Sequence, residues 1–481
     1  MSIPRVSSLF ALAALAGCAA APPAPEPDAS SAADLACARQ VEAFDAAVAA
    51  AGVADAGYAR VEGFRTLRVD RLVSSFAYAP MDAARFGNFV AAMRALDRDA
   101  RTVELANLPD AARARVDASA LDACAERVLA RDLAAQNARV WLIKSAVVPD
   151  DYRESWRALG FYPLTGFGLA AGVAMYERET RAAFAAPAAA RGTVVVHRPA
   201  AASAVPPDAI RRTVAALVAA EPLPPQPRAD AAAIAALFAA YAPEFAVDTA
   251  SDDDRPGRPH RRADGVPDVD PATPIVYTHL AWTRFDGALL PQLVYTIWFA
   301  QRPPAFAGDP LAGRLDGLVW RVTLDRDGAP LLFDTIHPCG CYHQFVPTAR
   351  LVAKPREPTV EEQALIATTL PELATGTRVR VDVASRTHYL RGVMPLPGSA
   401  PGARGPAYAL ERDDVLRTAK LYGPDGIVAG TERPERLALW ISGIESAGAM
   451  RQWGRHATAF VGRRHFDEPH LVERYFTRAA P

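Results

Sequence analysis

The sequence predicts an α+β protein, with an α-rich N-terminal region followed by a mainly antiparallel β-rich C-terminal domain. Before residue 186 the apolar residues recur at helical spacing, which favours helices. Beyond residue 240 the segments are rich in aromatic and β-branched residues, as half-buried strands require. Residues 186–240 are dominated by Ala and Pro and are interpreted as a boundary region. The predicted domains are therefore 35–185 and 241–481.

Three helices are predicted in the first domain. Helical periodicity covers residues 35–48, 81–105 and 119–133, with Gly52 as a stop after the first and Asp117 or Ser119 as a cap for the third. The apolar run 140–143 favours a strand, although a buried helical turn would give the same pattern. The apolar stretch 164–176 is short of the roughly 20 residues that span a bilayer, and it suits a buried or interfacial helix.

The strands of the second domain are predicted at residues 274–285, 292–299, 317–324 and 331–336. A hairpin turn is expected between the last two, at residues 325–328. Residues 377–383 alternate charged with apolar side chains, which is typical of a sheet with one solvated face. Within the boundary region, one helix is expected near residues 208–220.

Composition and motifs exclude several classes of function. The chain has 481 residues, a net charge of -1 and no Lys/Arg-rich block, so nucleic-acid binding is excluded as its main activity. It contains no H-E-x-x-H, G-x-S-x-G or P-loop sequence. Gly166, Gly168 and Ala171 match a dinucleotide pattern, but no strand leads into them. The acidic run 252–254 lacks EF-hand spacing and is interpreted as a solvated loop.

The first 18 residues have the layout of an exported precursor. Arg5 is followed by the mainly apolar run 6–15, and the run ends in Leu15-Ala16-Gly17-Cys18. This segment resembles the lipobox of bacterial lipoproteins. The resemblance implies that residues 1–17 are a signal peptide and that acyl chains on Cys18 anchor the protein in a membrane. A plain secretory signal peptide with a chance cysteine is the alternative.

The resemblance also implies a location. Ala19 stands where an Asp commonly retains such lipoproteins in the inner membrane, so we expect the outer membrane, with the body facing the periplasm. Residues 18–34 are rich in Ala, Pro and Ser and are interpreted as the lipidated flexible tether. An envelope protein is a further candidate partner.

The densest group of chemically active residues is His337, Cys339, Cys341 and His343. On a regular strand these side chains would spread over about 20 Å, too far for one metal ion. A metal site therefore requires the segment to curl, which Pro338 and Gly340 permit. Zn or Cu is the metal expected there. One further ligand could come from the more distant histidines His279, His388 or His465.

Two alternatives to a metal site remain open for Cys339 and Cys341. They could form a redox-active pair, since flanking histidines favour the thiolate and a disulfide in so small a ring would be labile. They could equally be structural. The chain is thus predicted to be a lipid-anchored periplasmic protein with a candidate metal site, a non-catalytic envelope scaffold, or a thiol-disulfide redox protein. Whether it is an enzyme is not decided.

The remaining cysteines and histidines have simpler interpretations. Cys37 and Cys124 each lie on the apolar face of a predicted helix, and in an oxidising periplasm they are expected to form a structural disulfide. His465 and His470 flank Glu468 near the C-terminus. They could be ligands or acid/base groups, but surface or capping roles are favoured.

Overall fold

The predicted α+β class is confirmed. The structure, a computed structural model, describes residues 31–78, 81–200, 205–220, 229–396 and 405–480. Most of its helix lies in the N-terminal part and one large sheet forms the C-terminal part. Cys18, the predicted signal peptide and the predicted tether up to residue 30 lie outside the described residues.

The N-terminal part is a group of helices with one small hairpin, β1 (Ala59–Val61) and β2 (Phe64–Val69). Its helices are α1 (Ala32–Ala51), α2 (Arg71–Ser74), α3 (Ala83–Asn107), α4 (Asp110–Arg113), α5 (Ala118–Ala134), α6 (Ala138–Ser145), α7 (Glu154–Leu159) and α8 (Tyr162–Ala185).

Helix α1 begins inside the predicted tether. Ser31 caps it, because its side chain accepts a hydrogen bond from the Asp34 backbone while the Asp34 carboxylate accepts one from the Ser31 backbone. Gly52, at φ +63°, ends it in the left-handed conformation that glycine favours. Helix α1 packs on α5, and a disulfide joins Cys37 to Cys124 across this contact.

Removing this disulfide is expected to destabilise the N-terminal part. The bridge closes a loop with a sequence separation of 87 residues. Its loss in a Cys37→Ser/Cys124→Ser variant should lower the free energy of unfolding by about 2–4 kcal/mol, because the unfolded chain regains entropy. Urea unfolding of the wild-type protein and the variant measures the difference, and equal midpoints would contradict the prediction.

Seventeen strands are assigned within the described ranges, and the large sheet contains most of those after β2. The later strands are β3 (Thr193–Pro199), β4 (Ala219–Ala220), β5 (Glu244–Thr249), β6 (Arg258–Arg261), β7 (Pro267–Asp270), β8 (Ile275–Phe285), β9 (Ala288–Arg302), β10 (Gly313–Leu324), β11 (Pro330–Ile336), β12 (Gln344–Pro347), β13 (Leu351–Ala353), β14 (Val379–Val383), β15 (Leu390–Pro395), β16 (Ala407–Arg412) and β17 (Phe476–Arg478).

The large sheet is mixed rather than purely antiparallel. Its order is β12-β11-β10-β9-β8-β16-β3-β5-β14-β15, with β4 paired to β9. Strands β8 to β12 form an antiparallel meander, in which the predicted turn 325–328 joins β10 to β11. The pairs β16–β8, β16–β3 and β5–β14 are parallel. The pairs β3–β5, β14–β15 and β4–β9 are antiparallel as well, so the sheet is mainly antiparallel, as expected, with three parallel pairs.

One local prediction was wrong. Residues 140–143 belong to helix α6, where Trp141 and Leu142 are buried, because four apolar residues fit a helical turn as well as a strand. Within region 186–240, the helix expected near residues 208–220 is present as α9 (Pro207–Leu217). The same region also contains strand β3 of the large sheet and helix α10 (Ala231–Tyr241). Val214 of α9 and Leu237 of α10 lie in the main core.

The C-terminal part after β16 is mostly irregular and covers the other face of the meander. It contains the short helices α11 (Asp414–Thr418), α12 (Arg436–Leu439) and α13 (Leu471–Tyr475). Phe466 from this part packs on Val294 and Val319 of the meander. This layer therefore buries the turn between β11 and β12, where the predicted cluster lies.

Helix α8 lies at the surface. Only Gly166 and Thr180 are buried along its length, and Leu164 and Phe167 are 73% and 62% exposed. The helix expected over residues 164–176 is present, and it is exposed rather than buried. Among the residues that the structure describes, no helix combines the length and apolar character needed to cross a membrane.

Candidate functional site

The segment 337–343 curls into a tight turn between β11 and β12. The Gly340 N–H donates to the His337 carbonyl over 2.8 Å, and the His337 N–H donates to the Cys341 carbonyl over 3.0 Å. Gly340 adopts φ +95°, and a Cβ there would lie 2.4 Å from the Ala457 carbonyl oxygen. Only glycine fits this position, because both the conformation and the close approach exclude a side chain.

The two histidines of the cluster bind different carboxylates. His337 Nδ1 lies 3.0 Å from Asp316 on β10, whereas His343 Nε2 lies 3.0 Å from Asp334 on β11. Cys339 and Cys341 are free and buried at the tip of the turn. The predicted curl is therefore present, but it directs His337 and His343 to separate partners.

Asp316 is the centre of a fully buried ionic network. Besides His337 it binds His388 Nδ1 at 2.9 Å, and Arg433 Nη2 lies 3.3 Å from it. The second nitrogen of His388 lies 3.3 Å from Asp254. All of these side chains are buried, so each charge depends on its partners rather than on water.

The charges in this network follow from its contacts. Burial alone would raise the pKa of Asp316, but His337 and Arg433 hold it well below its usual value. Burial acts to lower the pKa of His388, yet the carboxylates of Asp254 and Asp316 raise it above its usual value. Burial lowers the pKa of His337. Asp316 is therefore ionised at pH 7, the contacts of His388 favour its cationic form, and burial favours the neutral form of His337.

Strained backbone surrounds the same network. Leu315, Tyr342 and His388 have positive φ angles of +50°, +66° and +51°. Non-glycine residues in this region cost about 1–3 kcal/mol each and persist where the surrounding structure fixes them. Such strain is concentrated at functional sites, which marks the turn and its partners as a candidate site.

His343 and Asp334 form a second buried pair. Arg321 Nε donates to Asp334 over 2.8 Å, and its Nη2 donates to the other carboxylate oxygen. Burial alone would raise the pKa of Asp334, but Arg321 and His343 lower it, so the group is ionised. An ionised carboxylate only accepts hydrogen bonds, so the neutral His343 carries its proton on Nε2.

The other nitrogen of His343 is available to a ligand. Burial lowers the pKa of His343 to about 4, so the ring is neutral at pH 7. Its Nδ1 is buried and has no hydrogen-bond partner among the described residues. A buried acceptor without a partner costs free energy, which a ligand that donates to it would recover.

His343 lines a cleft of about 320 Å³ beneath helix α8, here called the α8 cleft. The apolar residues that line it are Gly168, Leu169, Gly172, Val173, Leu365, Leu439 and Phe460. The polar residues that line it are Tyr176, Glu177, Tyr342, His343, Glu362, Gln363, Glu435, Thr458 and Arg464. A cleft of this size is at the lower end of the range for small-molecule sites.

The structure gives the predicted metal site no support. In the described part of the chain, no group of three or more His, Cys, Asp and Glu side chains is arranged to hold a metal ion. His337 and His343 each place one nitrogen on a different carboxylate, as described above. The prediction of Zn or Cu at this turn therefore depends on the spacing of residues in the sequence alone.

The other candidate histidines lie apart from the turn, with the exception of His388. His279 lies 3.1 Å from Asp413, stacks near Trp453, and lines a separate cavity of about 250 Å³. His465 lies 3.4 Å from both Asp150 and Asp151. His470 is half-exposed at the start of α13 and binds Glu473.

His465 is expected to stabilise the fold only while it is protonated. Burial acts to lower its pKa, but the carboxylates of Asp150 and Asp151 raise it to about 10. The value in the unfolded chain is about 6.5, so this stabilisation is complete below that pH and is lost as the pH rises towards 10. A His465→Gln variant should lose about 2 kcal/mol of unfolding free energy at pH 6 and much less at pH 10. Urea unfolding at both pH values measures this, and an equal loss would contradict it.

Several site residues were not predicted from the sequence. Asp316 and Asp334 bind the histidines of the turn, and Arg433 binds Asp316. Arg464, Gly168 and Gly172 line the α8 cleft. One signal was present for Asp334, because it is a lone charge in the apolar strand β11. A charge buried in such a strand needs a partner, and the partners of Asp334 are Arg321 and His343.

Comparison of the chain with protein-family models, with curated proteins and with solved structures finds no match. The function must accordingly be argued from the chemistry of the site, since a fold class alone does not determine it.

Proposed function

We propose that the α8 cleft binds a neutral or cationic amphiphilic small molecule that donates a hydrogen bond to His343 Nδ1. The observation that carries this proposal is the His343–Asp334 pair. One ring nitrogen is fixed by a buried carboxylate, and the other is buried without a partner at the wall of a cleft. This arrangement orients an acceptor towards a bound molecule.

The mixed lining of the cleft favours an amphiphile. Apolar side chains and the bare backbone of Gly168 and Gly172 offer apolar contact. Hydroxyl, carboxylate and imidazole groups line the same cleft. A ligand with an apolar part and a polar end can contact both kinds of residue.

The charges of the cleft disfavour an anion. Arg464 is its one cation among the lining residues, and it lies 3.4 Å from Glu362. Glu177 and Glu435 add two further carboxylates. Burial raises the pKa of Glu362 and Glu435, which shows that negative charge is already costly there. A further negative charge on the ligand would add repulsion, whereas an amine or hydroxyl donor would not.

The low pKa of His343 favours binding over proton transfer. General-base catalysis works best with a pKa near the working pH, whereas His343 has a pKa of about 4 and is a weak base. Its Nδ1 can still accept a hydrogen bond from a bound hydroxyl, amine or water molecule. Binding is therefore the step to test first.

We also propose that the chain is an outer-membrane lipoprotein anchored through Cys18, with its body in the periplasm. The lipobox resemblance of the first 18 residues supports this proposal, and so does the Cys37–Cys124 disulfide, since disulfides persist in oxidising compartments. A scaffold role with an envelope protein as partner, and a metal at His337, Cys339, Cys341 and His343, stay predictions that the cleft proposal does not require.

The test uses three related probes and one variant. N-phenyl-1-naphthylamine is a neutral amphiphile with one N–H donor, its N-methyl derivative lacks the donor, and 8-anilino-1-naphthalenesulfonate adds an anionic group. Fluorescence titration of the wild-type chain should give the tightest binding for the first probe. His343→Phe should weaken that probe about tenfold through the loss of one hydrogen bond, and should leave the N-methyl derivative unchanged.

The outcomes separate the proposal from general hydrophobic binding. If the sulfonate binds as tightly as the neutral amine, the charge argument is wrong. If His343→Phe weakens the amine and its N-methyl derivative equally, the hydrogen bond to Nδ1 is not made. Circular dichroism of the variant controls for loss of fold.

A further inference from the structure

The turn that carries His337 and His343 also holds two adjacent free thiols. Cys339 and Cys341 are 2% and 7% exposed, and both belong to the same cluster of buried residues. Gly340, which has no room for a side chain, separates them at the tip of the turn. The Pro338 carbonyl anchors the turn by accepting hydrogen bonds from the Arg451 N–H and from His456 Nε2. The thiol pair is therefore held in a fixed geometry.

Two buried guanidinium groups lie beside these thiols. Arg433 is fully buried next to Cys339, and its Nε and Nη1 have no hydrogen-bond partner within the described ranges. Arg451 is 5% exposed, lies near both thiols, and its Nε is likewise without a partner in the described part of the chain. Unpartnered donors on buried cations favour an anion beside them. Asp316 lies close to Nη2 of Arg433, so a thiolate is an anion that can lie beside the remaining nitrogens.

The two thiols are not equivalent. A hydrogen bond from Cys341 lowers the pKa of the Cys339 thiol, and the same contact raises the pKa of Cys341. Cys339 is therefore the nucleophile of the pair, and Cys341 keeps its proton.

We propose that Cys339 and Cys341 form a redox-active dithiol that a small hydroperoxide oxidises to a disulfide. Tyr342, which follows Cys341 in the chain, lines the α8 cleft, and the proposal requires the oxidant to reach the buried thiols from that side. This proposal is independent of the ligand proposed for the cleft.

The reaction balances in two steps. The Cys339 thiolate attacks one peroxide oxygen, so that an S–O bond forms, the O–O bond breaks, and the alkoxide leaves and takes a proton to become an alcohol. Cys339 is thereby oxidised to a sulfenic acid. The Cys341 sulfur then attacks the Cys339 sulfur, the S–O bond breaks, and hydroxide leaves with the Cys341 proton as water. Two thiols and one hydroperoxide give one disulfide, one alcohol and one water.

The experiment treats the reduced full-length chain with one equivalent of hydrogen peroxide and determines the state of each cysteine by differential alkylation and peptide mass spectrometry. We expect a Cys339–Cys341 disulfide in the wild-type chain. A Cys341→Ser variant should stop at a sulfenic acid on Cys339, which dimedone traps. A Cys339→Ser variant should leave Cys341 reduced, and thermal unfolding of both variants controls for loss of fold.

Two results would overturn the proposal. In the first, both thiols of the folded wild-type chain stay reduced under excess peroxide, although the urea-unfolded chain is oxidised. In the second, Cys341 in the Cys339→Ser variant reacts as fast as Cys339 in the Cys341→Ser variant. Because these measurements use no cleft ligand, they are independent of the outcome for the amphiphile probes.

Discussion

Replacing Asp316 with asparagine is expected to lower the free energy of unfolding by about 3–5 kcal/mol. The carboxylate is fully buried and ionised, and it contacts His337, His388 and Arg433. An amide cannot neutralise Arg433, so this buried cation would lose its carboxylate partner. The cationic form of His388 would keep Asp254 but lose the second carboxylate. The strained conformations at Leu315 and His388 would lose the contacts that fix them.

Urea unfolding of Asp316→Asn measures this effect, and Asp252→Asn provides the control. The Asp252 side chain is 92% exposed and pairs with Arg255 at the surface, so its replacement should change the unfolding free energy by less than about 0.5 kcal/mol. If Asp316→Asn is as stable as this control, the buried ionic network does not organise the site.

Filling the α8 cleft with Gly168→Leu/Gly172→Leu is expected to reduce binding of N-phenyl-1-naphthylamine at least a hundredfold. Both glycines line the cleft, and an added Cβ at either position meets no atom within 4 Å. The new side chains can therefore occupy the space of the ligand without displacing the protein. Leucine is the better helix former by about 0.5–1 kcal/mol per position, so α8 should not be destabilised.

The matched control for this variant is Gly87→Leu in helix α3. Gly87 is exposed, it lies in a helix as the cleft glycines do, and its Cβ would also meet no atom within 4 Å. The Gly87→Leu variant should gain helix propensity in α3 and should bind N-phenyl-1-naphthylamine as tightly as the wild-type chain does. If Gly168→Leu/Gly172→Leu keeps the wild-type affinity for the probe, and circular dichroism shows that its fold is intact, the probe binds outside the α8 cleft.

The sequence predicted those parts of the fold that depend on local pattern. The helical periodicity of residues 35–48 and 119–133 predicted helices α1 and α5. The disulfide between Cys37 and Cys124 was predicted because each cysteine lies on the apolar face of one of these helices. The turn at residues 325–328 was predicted from its residue types. The parallel pairing of β16 with β3 and β8 joins segments that are far apart in the chain, and no local pattern indicates it.

The candidate site was found from the sequence by its density of reactive residues, but its chemistry was not. The spacing of His337 and His343 suggested shared ligation of one metal ion, whereas each ring binds a different strand carboxylate. That division depends on how β10, β11 and the turn pack in three dimensions. The cleft depends on α8, which the sequence indicated only as an apolar or interfacial helix.

The most direct test of the cleft proposal is the protonation state of His343, measured by two-bond ¹H–¹⁵N NMR of the histidine-labelled chain with and without N-phenyl-1-naphthylamine. The His343→Phe variant assigns the signal among the nine histidines. The proposal predicts a neutral ring protonated on Nε2 from pH 8 down to pH 5, because its pKa is about 4, and a shift of Nδ1 when the probe binds. A His343 ring that is mostly protonated at pH 5.5, or an Nδ1 signal that saturating probe leaves unchanged, would contradict it.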